Sequence, residues 1–255
     1  MNGNDRITDT HAHLCDASFE PDLAEVVERA RSAGVRHILC VGEDLRDAKR
    51  NMELAGVYPG LHPAAGLYPS NPSIPDACDV IEFIKENRDK LFAIGEVGLD
   101  YRLAEEKSRR EIQREIFGMF IRLSRDVDLP LNVHSRSAGR QAVELLVDRK
   151  ARRVQLHAFD GKAGSVGPAV ESGLFFSIPP SIIRSRQKQK LVRHLPVSCL
   201  LVESDSPVLG PDPENRNEPA NAVLAIRAIA DIKRMEEREV VETIAANTRR
   251  LYGDL

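Results

Sequence analysis

Several things are scarce in this 255-residue sequence, and each scarcity closes a class of function. No apolar run approaches the ~20 residues that a helix needs to span a bilayer. The N-terminal stretch MNGNDRITDTHAHL is polar and has no apolar signal core, so the chain is expected to be soluble and cytoplasmic. Cysteine is sparse: Cys15, Cys40, Cys78 and Cys199 are far apart and form no Cys-x-x-Cys pair. That pattern predicts free thiols in a reducing compartment rather than a disulfide framework. Positive charge is not in excess, with 36 Lys and Arg against 39 Asp and Glu and a net charge of −3. A protein that coats long stretches of nucleic acid needs a broad basic field. An enzyme that grips one or two phosphates locally does not.

Linker-like stretches and breaks in composition are also missing, and the chain is expected to form one domain over residues 1–255. No glycine-rich loop follows the first β-rich run, so the doubly wound dinucleotide fold lacks its phosphate signature. What is present is an alternation. Strands are predicted over 7–10, 35–41, 63–66, 92–96, 131–134, 154–157, 174–177 and 200–203. Helices are predicted over 22–33, 45–54, 76–87, 108–127, 139–147, 165–172, 185–194, 220–233 and 236–251. Strands that alternate with helices pack as a parallel sheet. Eight such units in about 250 residues predict an α/β fold, the (β/α)8 TIM barrel, with any active site at the C-terminal mouth of the strands.

The predicted strand ends carry most of the chemistry. His11 and His13 close the first strand, two residues apart and therefore on one side of it. Glu96 closes the fourth strand, His134 the fifth, His157 the sixth, and Asp205 follows the eighth. A lone histidine at a strand end is commonly a hydrogen-bonded core residue, and a lone carboxylate there is commonly a helix cap. Four histidines and two carboxylates at five ends of one barrel instead suggest a metal centre. Six nitrogen and oxygen ligands exceed the three that one catalytic zinc takes, so two divalent ions are expected. Glu96, between the two histidine groups in strand order, is the candidate bridge. A set without thiolates suits Zn²⁺, Mn²⁺ or Mg²⁺, and four imidazoles weigh against Mg²⁺ alone.

The segments Asp9-Thr10-His11-Ala12-His13-Leu14, Ile94-Gly95-Glu96-Val97-Gly98-Leu99-Asp100, Asn132-Val133-His134-Ser135-Arg136, Leu156-His157-Ala158-Phe159-Asp160-Gly161 and Glu203-Ser204-Asp205-Ser206-Pro207 together resemble the TatD family of metal-dependent deoxyribonucleases, within the amidohydrolase-like barrel superfamily. The match runs in order from residue 7 to about 250. Residues 134–140 and 175–191 are most similar to the third branch of animal TatD-domain-containing proteins.

The resemblance implies a hydrolase that cleaves DNA phosphodiester bonds with water activated between two divalent ions, acting on single strands or ends. His11, His13 and Asp205 would hold one ion, His134 and His157 the other, with Glu96 bridging. Asp205 would accept the water's proton. In the family, Glu203 serves as a supporting group or holds a third ion; the alternative is a buried partner of a nearby base. Arg136 and Arg140 are candidate phosphate contacts. The run 184–190 is either a DNA-backbone contact or a solvated helix face, and Asn215, Arg216 and Asn217 fall in a loop expected over the mouth.

Two positions depart from the family pattern. Tyr68 stands before Pro69 where the family has histidine, and Asp160 stands in a Phe-Asp-Gly stretch where many members have Phe-Ser-Gly. Tyr68 is therefore expected at the substrate. His62 also precedes a proline but is predicted to lie before the third strand and to point away from the mouth. Hydrolysis of a small ester, lactone or amide on the same barrel is the competing expectation.

Overall fold

Eight strands, β1 (Ile7–Ala12), β2 (Val35–Cys40), β3 (Leu61–Ala65), β4 (Ala93–Gly98), β5 (Leu131–His134), β6 (Val154–Leu156), β7 (Phe175–Ile178) and β8 (Leu200–Val202), line up in chain order. Each is parallel to the one before it. The computed structural model describes residues 7–71 and 73–255. The first and last strands meet: the Thr10 hydroxyl donates to the Val202 carbonyl at 2.9 Å, and the Asp205 amide to the His11 carbonyl at 2.9 Å. The result is the expected (β/α)8 barrel. Its helices are α1 (Leu23–Ser32), α2 (Leu45–Val57), α3 (Ile74–Glu86), α4 (Lys107–Asp126), α5 (Gly139–Asp148), α6 (Gly167–Glu171), α7 (Arg186–His194), α8 (Ala222–Lys233) and α9 (Glu237–Tyr252).

Local sequence sets the helix starts. Asp44 caps α2 by accepting the Asp47 amide at 2.9 Å, Ser185 caps α7 by accepting the Lys188 amide, and Glu236 with Glu239 forms a capping box before α9. The strands are buried along nearly their whole length, as a parallel sheet covered by helices requires. β3 begins at Leu61, earlier than predicted, so His62 lies inside the strand, paired in register with Leu39. Pro63 suggests a strand start because it lacks an N–H, but its carbonyl still accepts the Phe92 amide at 2.9 Å and the ladder runs through it. β4 extends past Glu96 to Gly98, where φ is +146° and an added Cβ would stand 2.0 Å from the His134 carbonyl oxygen. Only glycine lets β4 and β5 approach so closely beside two site residues.

Beneath the mouth the barrel is filled by a buried polar lattice. Asn132 donates to the Thr10 carbonyl at 2.9 Å, Gln155 to the Ser177 hydroxyl at 2.8 Å, and Tyr252 of α9 to Gln155 at 2.7 Å. Buried amides and hydroxyls that satisfy one another fix a single geometry. The site stands on this lattice.

Candidate metal centre

Glu96 is buried, and its two carboxylate oxygens face two separate groups of donors. Oε2 lies 3.3 Å from His13 Nε2 and 3.8 Å from His11 Nε2; these in turn lie 3.8 and 3.3 Å from Asp205 Oδ1. Oε1 lies 2.7 Å from His134 Nδ1 and 2.8 Å from His157 Nε2, and those two nitrogens are 3.1 Å apart. A tetrahedral shell of nitrogen and oxygen ligands at about 2.0–2.1 Å places neighbouring donors roughly 3.3 Å apart. The first group, at 3.1–3.8 Å, is close to that spacing, and the second, at 2.7–3.1 Å, is drawn tighter by direct hydrogen bonds. The sets His11, His13, Asp205 and His11, Glu96, His157 each bring three donors within 4.8 Å of one another.

The supporting contacts choose which ring nitrogen faces inward. His11 Nδ1 lies 2.8 Å from Asn132 Oδ1, which leaves Nε2 for the centre. His134 is turned the other way: its Nε2 lies 3.0 Å from Asp100 Oδ2, which leaves Nδ1 for Glu96. A carboxylate or amide behind each imidazole fixes the tautomer a cation needs. His157 has no such partner, since its Nδ1 makes no hydrogen bond and the nearest carboxylate, Glu203 Oε2, is 3.9 Å away.

The electrostatics call for positive charge. Burial alone would push the His11 pKa down, but the bond to Asp205 and the charges of Glu96 and Asp205 carry it up to about 10. For His134, burial is likewise overcome, by Glu96 and Asp100, and its pKa rises to about 9. His157 moves the opposite way, to about 4, because it is buried and stacked 3.9 Å from the His11 ring. Glu96 and Asp205 are held below the usual carboxylate range despite burial, Glu96 by His157 and His134, Asp205 by His11. Two ionised carboxylates at the floor of a barrel need cations beside them, and protons on imidazoles or divalent ions both answer.

The TatD related DNase family profile matches residues 8–253. The chain belongs to that family. It is 40% identical to the human deoxyribonuclease TATDN3 over 261 aligned residues, 98% of this chain and 95% of that one. A relative from Klebsiella pneumoniae named 3'-5' ssDNA/RNA exonuclease TatD is 29% identical, with 96% of this chain and 97% of the relative covered. The crystal structure of the TatD homologue YJJV from Escherichia coli superposes with a TM-score of 0.90 at 25% identity, covering 99% of this chain and all of that one. This TatD-related barrel is therefore a metal-dependent hydrolase by family, and its histidines and carboxylates are fit to hold metal.

Around the donors lies a cleft of about 380 Å³, lined among others by Tyr68, Arg136, Asp160, Lys188, Val208 and Leu209. Tyr68, the departure from the family, is inside it. Its hydroxyl donates to Asp100 Oδ2 at 3.1 Å and lies 3.4 Å from His134 Nε2. Burial, then the charges of Glu96 and Asp100, push its pKa above the usual value, so it keeps its proton. Arg136 pairs with the same Asp100 oxygen, at 2.8 Å from Nε and 2.7 Å from Nη2. Asp100 thus ties Tyr68, His134 and Arg136 together, a role the sequence reading gave to no residue. Gln113 of α4 holds it in turn, accepting the Asp100 amide and donating to its carbonyl.

Other predicted residues fall elsewhere. Arg140 is on α5, its side chain 71% exposed and paired with Glu144 at 3.4 Å, and it does not reach the cleft. Glu203 is fully buried, with both oxygens engaged: Oε1 accepts the Ala158 amide at 2.8 Å and Oε2 the Ser177 hydroxyl at 2.5 Å. Burial raises its pKa to about 8, against the lowering charge of His11. Both oxygens are thus tied to the fold, to the turn after β6 and to β7. Asp160 accepts the Ser137 amide at 2.9 Å. Arg216 forks onto Asp22 with two bonds of 2.7 Å, and buried Asn217 donates to the Ser204 and Val208 carbonyls. Both fasten the loop after β8 rather than facing the mouth. Within 184–190, Arg184 donates to the Gly210 carbonyl, while Gln187 and Lys188 turn inward.

Proposed function

We propose that this chain is a DNA phosphodiesterase that acts on single strands or strand ends with two divalent ions held on either side of Glu96. His11, His13 and Asp205 would hold one ion and His134 and His157 the other. The observation that carries this reading is the division of Glu96, with Oε2 3.3 Å from His13 and Oε1 2.7 and 2.8 Å from His134 and His157. Zn²⁺ or Mn²⁺ suits the four imidazoles, and Mg²⁺ alone does not. When bound, such ions polarise a phosphate and lower the pKa of water.

The chain's own groups do the rest. Asp205, kept ionised by His11, takes the proton of the attacking water. Arg136, fixed by Asp100 at the cleft wall, directs its guanidinium to a phosphate oxygen. Tyr68 keeps its proton and, through its bond to Asp100 Oδ2, stiffens the cleft wall beside His134 and Arg136. DNA as substrate is supported by the family description and by relatives named deoxyribonuclease. A cleft of about 380 Å³ is of small-ligand size and suits one extended strand rather than a duplex. The four free thiols suit a reducing compartment such as the cytoplasm.

Protein stripped of metal and reloaded with Mn²⁺ or Zn²⁺ should degrade labelled single-stranded DNA, and the Glu96→Ala protein should not. Metal-dependent turnover of a lactone or amide with no DNA cleavage would overturn the nuclease reading.

A further inference from the structure

The basic run 184–190 is the part of the sequence that the proposed activity leaves unused, and two of its residues grip the turn that carries His157 out of β6. Lys188, on α7, is only 6% exposed. Its ammonium donates to the Ala158 carbonyl, and to the Phe159 carbonyl at 3.2 Å. Gln187 donates to the Phe159 carbonyl at 3.3 Å and to the Gly161 carbonyl at 3.0 Å. From the opposite side, Glu203 accepts the Ala158 amide at 2.8 Å. Ala158 has φ +39°, a left-handed conformation that a non-glycine residue keeps only where its surroundings hold it.

His157 depends on that turn more than His11 and His134 depend on theirs. His11 is braced by Asn132 and His134 by Asp100, but His157 Nδ1 has no hydrogen-bond partner. With no hydrogen bond behind it, the ring is placed by its backbone and by stacking on His11 at 3.9 Å. A buried ammonium is costly unless it is hydrogen-bonded, and here it meets two carbonyls and faces the carboxylates of Glu203, Asp160 and Asp205.

We propose that Lys188 is a positioning residue for His157: through the Ala158 and Phe159 carbonyls, and with Gln187 beside it, it fixes the turn that aims His157 Nε2 at Glu96 Oε1. This rests on the two-ion reading above and concerns the His134/His157 ion alone.

Calorimetric titration of the metal-free chain with Co²⁺, with circular dichroism as a control for folding, tests it. The wild type should take up two ions per chain in two steps. Lys188→Met should weaken one step by about ten- to hundredfold and leave the other unchanged. Lys188→Arg, which keeps donors at that place, should restore most of the loss, and Gln187→Ala should weaken the same step by a smaller factor. In a His134→Ala background, which lacks that step already, Lys188→Met should change nothing more. Two unchanged steps in folded Lys188→Met, or equal weakening of both, would overturn the proposal. If Lys188→Met does not fold, Gln187→Ala decides by the same criterion. A wild type that takes up fewer than two ions overturns the two-ion reading itself, before any variant is compared.

Discussion

Two groups of histidines occupy opposite ends of this barrel, and two at the mouth, His11 and His134, are shifted in pKa the opposite way from the pair at the other end, while His157, buried against His11, falls as that pair does. At the mouth, His11, His13, His134 and His157 converge on Glu96 and Asp205. Near the N-terminal ends of β2 and β3, His37 Nδ1 and His62 Nε2 lie 2.9 Å apart, with the Phe92 ring edge-on to His62. The mouth raises His11 to about 10 and His134 to about 9 against the pull of burial. The lower pair shows what burial does without a carboxylate: His62 falls to about 4 and His37 also falls. One end of the barrel demands positive charge and the other refuses it. Imidazoles in proximity do not make a cation site; carboxylates buried beside them do.

The first way to break this contrast is to remove the charge of Glu96 while keeping its shape. Glu96→Gln should make the mouth behave like the lower pair, abolish uptake of at least one ion, and reduce metal-dependent DNA cleavage by about 10³-fold or more. Parallel single-turnover assays and metal analysis check it, and a folded variant with full activity would contradict it. A smaller effect is expected behind the ligands. Asp100→Asn leaves His134, Arg136 and Tyr68 in place but removes the charge they share. It should lower metal affinity about ten- to hundredfold, as read by competition with a chelator.

The remaining effect, on stability rather than on metal or activity, belongs to the lower pair. A histidine depressed in the fold is neutral there and charged in the unfolded chain at acid pH, so the unfolded state binds more protons and stability is lost as the pH falls. For His62 the window runs from about 6.5, its ordinary value, down to about 4. His62→Gln should therefore lose less stability than the wild type between pH 7 and pH 4, by on the order of 2–3 kcal/mol in urea melts. Parallel stability curves would show that the pair carries no such linkage.

The eight strands and the convergence of six candidate ligands at the mouth were legible in the sequence, because those residue types recur at strand ends and a parallel barrel gathers those ends at one mouth. It did not carry the parts whose role depends on contact. Asp100 is a single carboxylate two residues past β4, and nothing local marks it as the partner of three side chains from other elements. Arg140 follows the same strand as Arg136 but lies on the outer face of α5, where Glu144 meets it one helical turn on. Lys188 belongs to a basic run that reads as a solvated face. Only the packing of α7 against residues 158–161 shows that it faces inward.

The central claim is that Glu96 is shared by two ions, and anomalous diffraction from crystals grown with Mn²⁺ tests it most directly. The account predicts two peaks, one on the His11, His13 and Asp205 side of the Glu96 carboxylate and one on the His134 and His157 side. A single peak, or density away from Glu96, would contradict it.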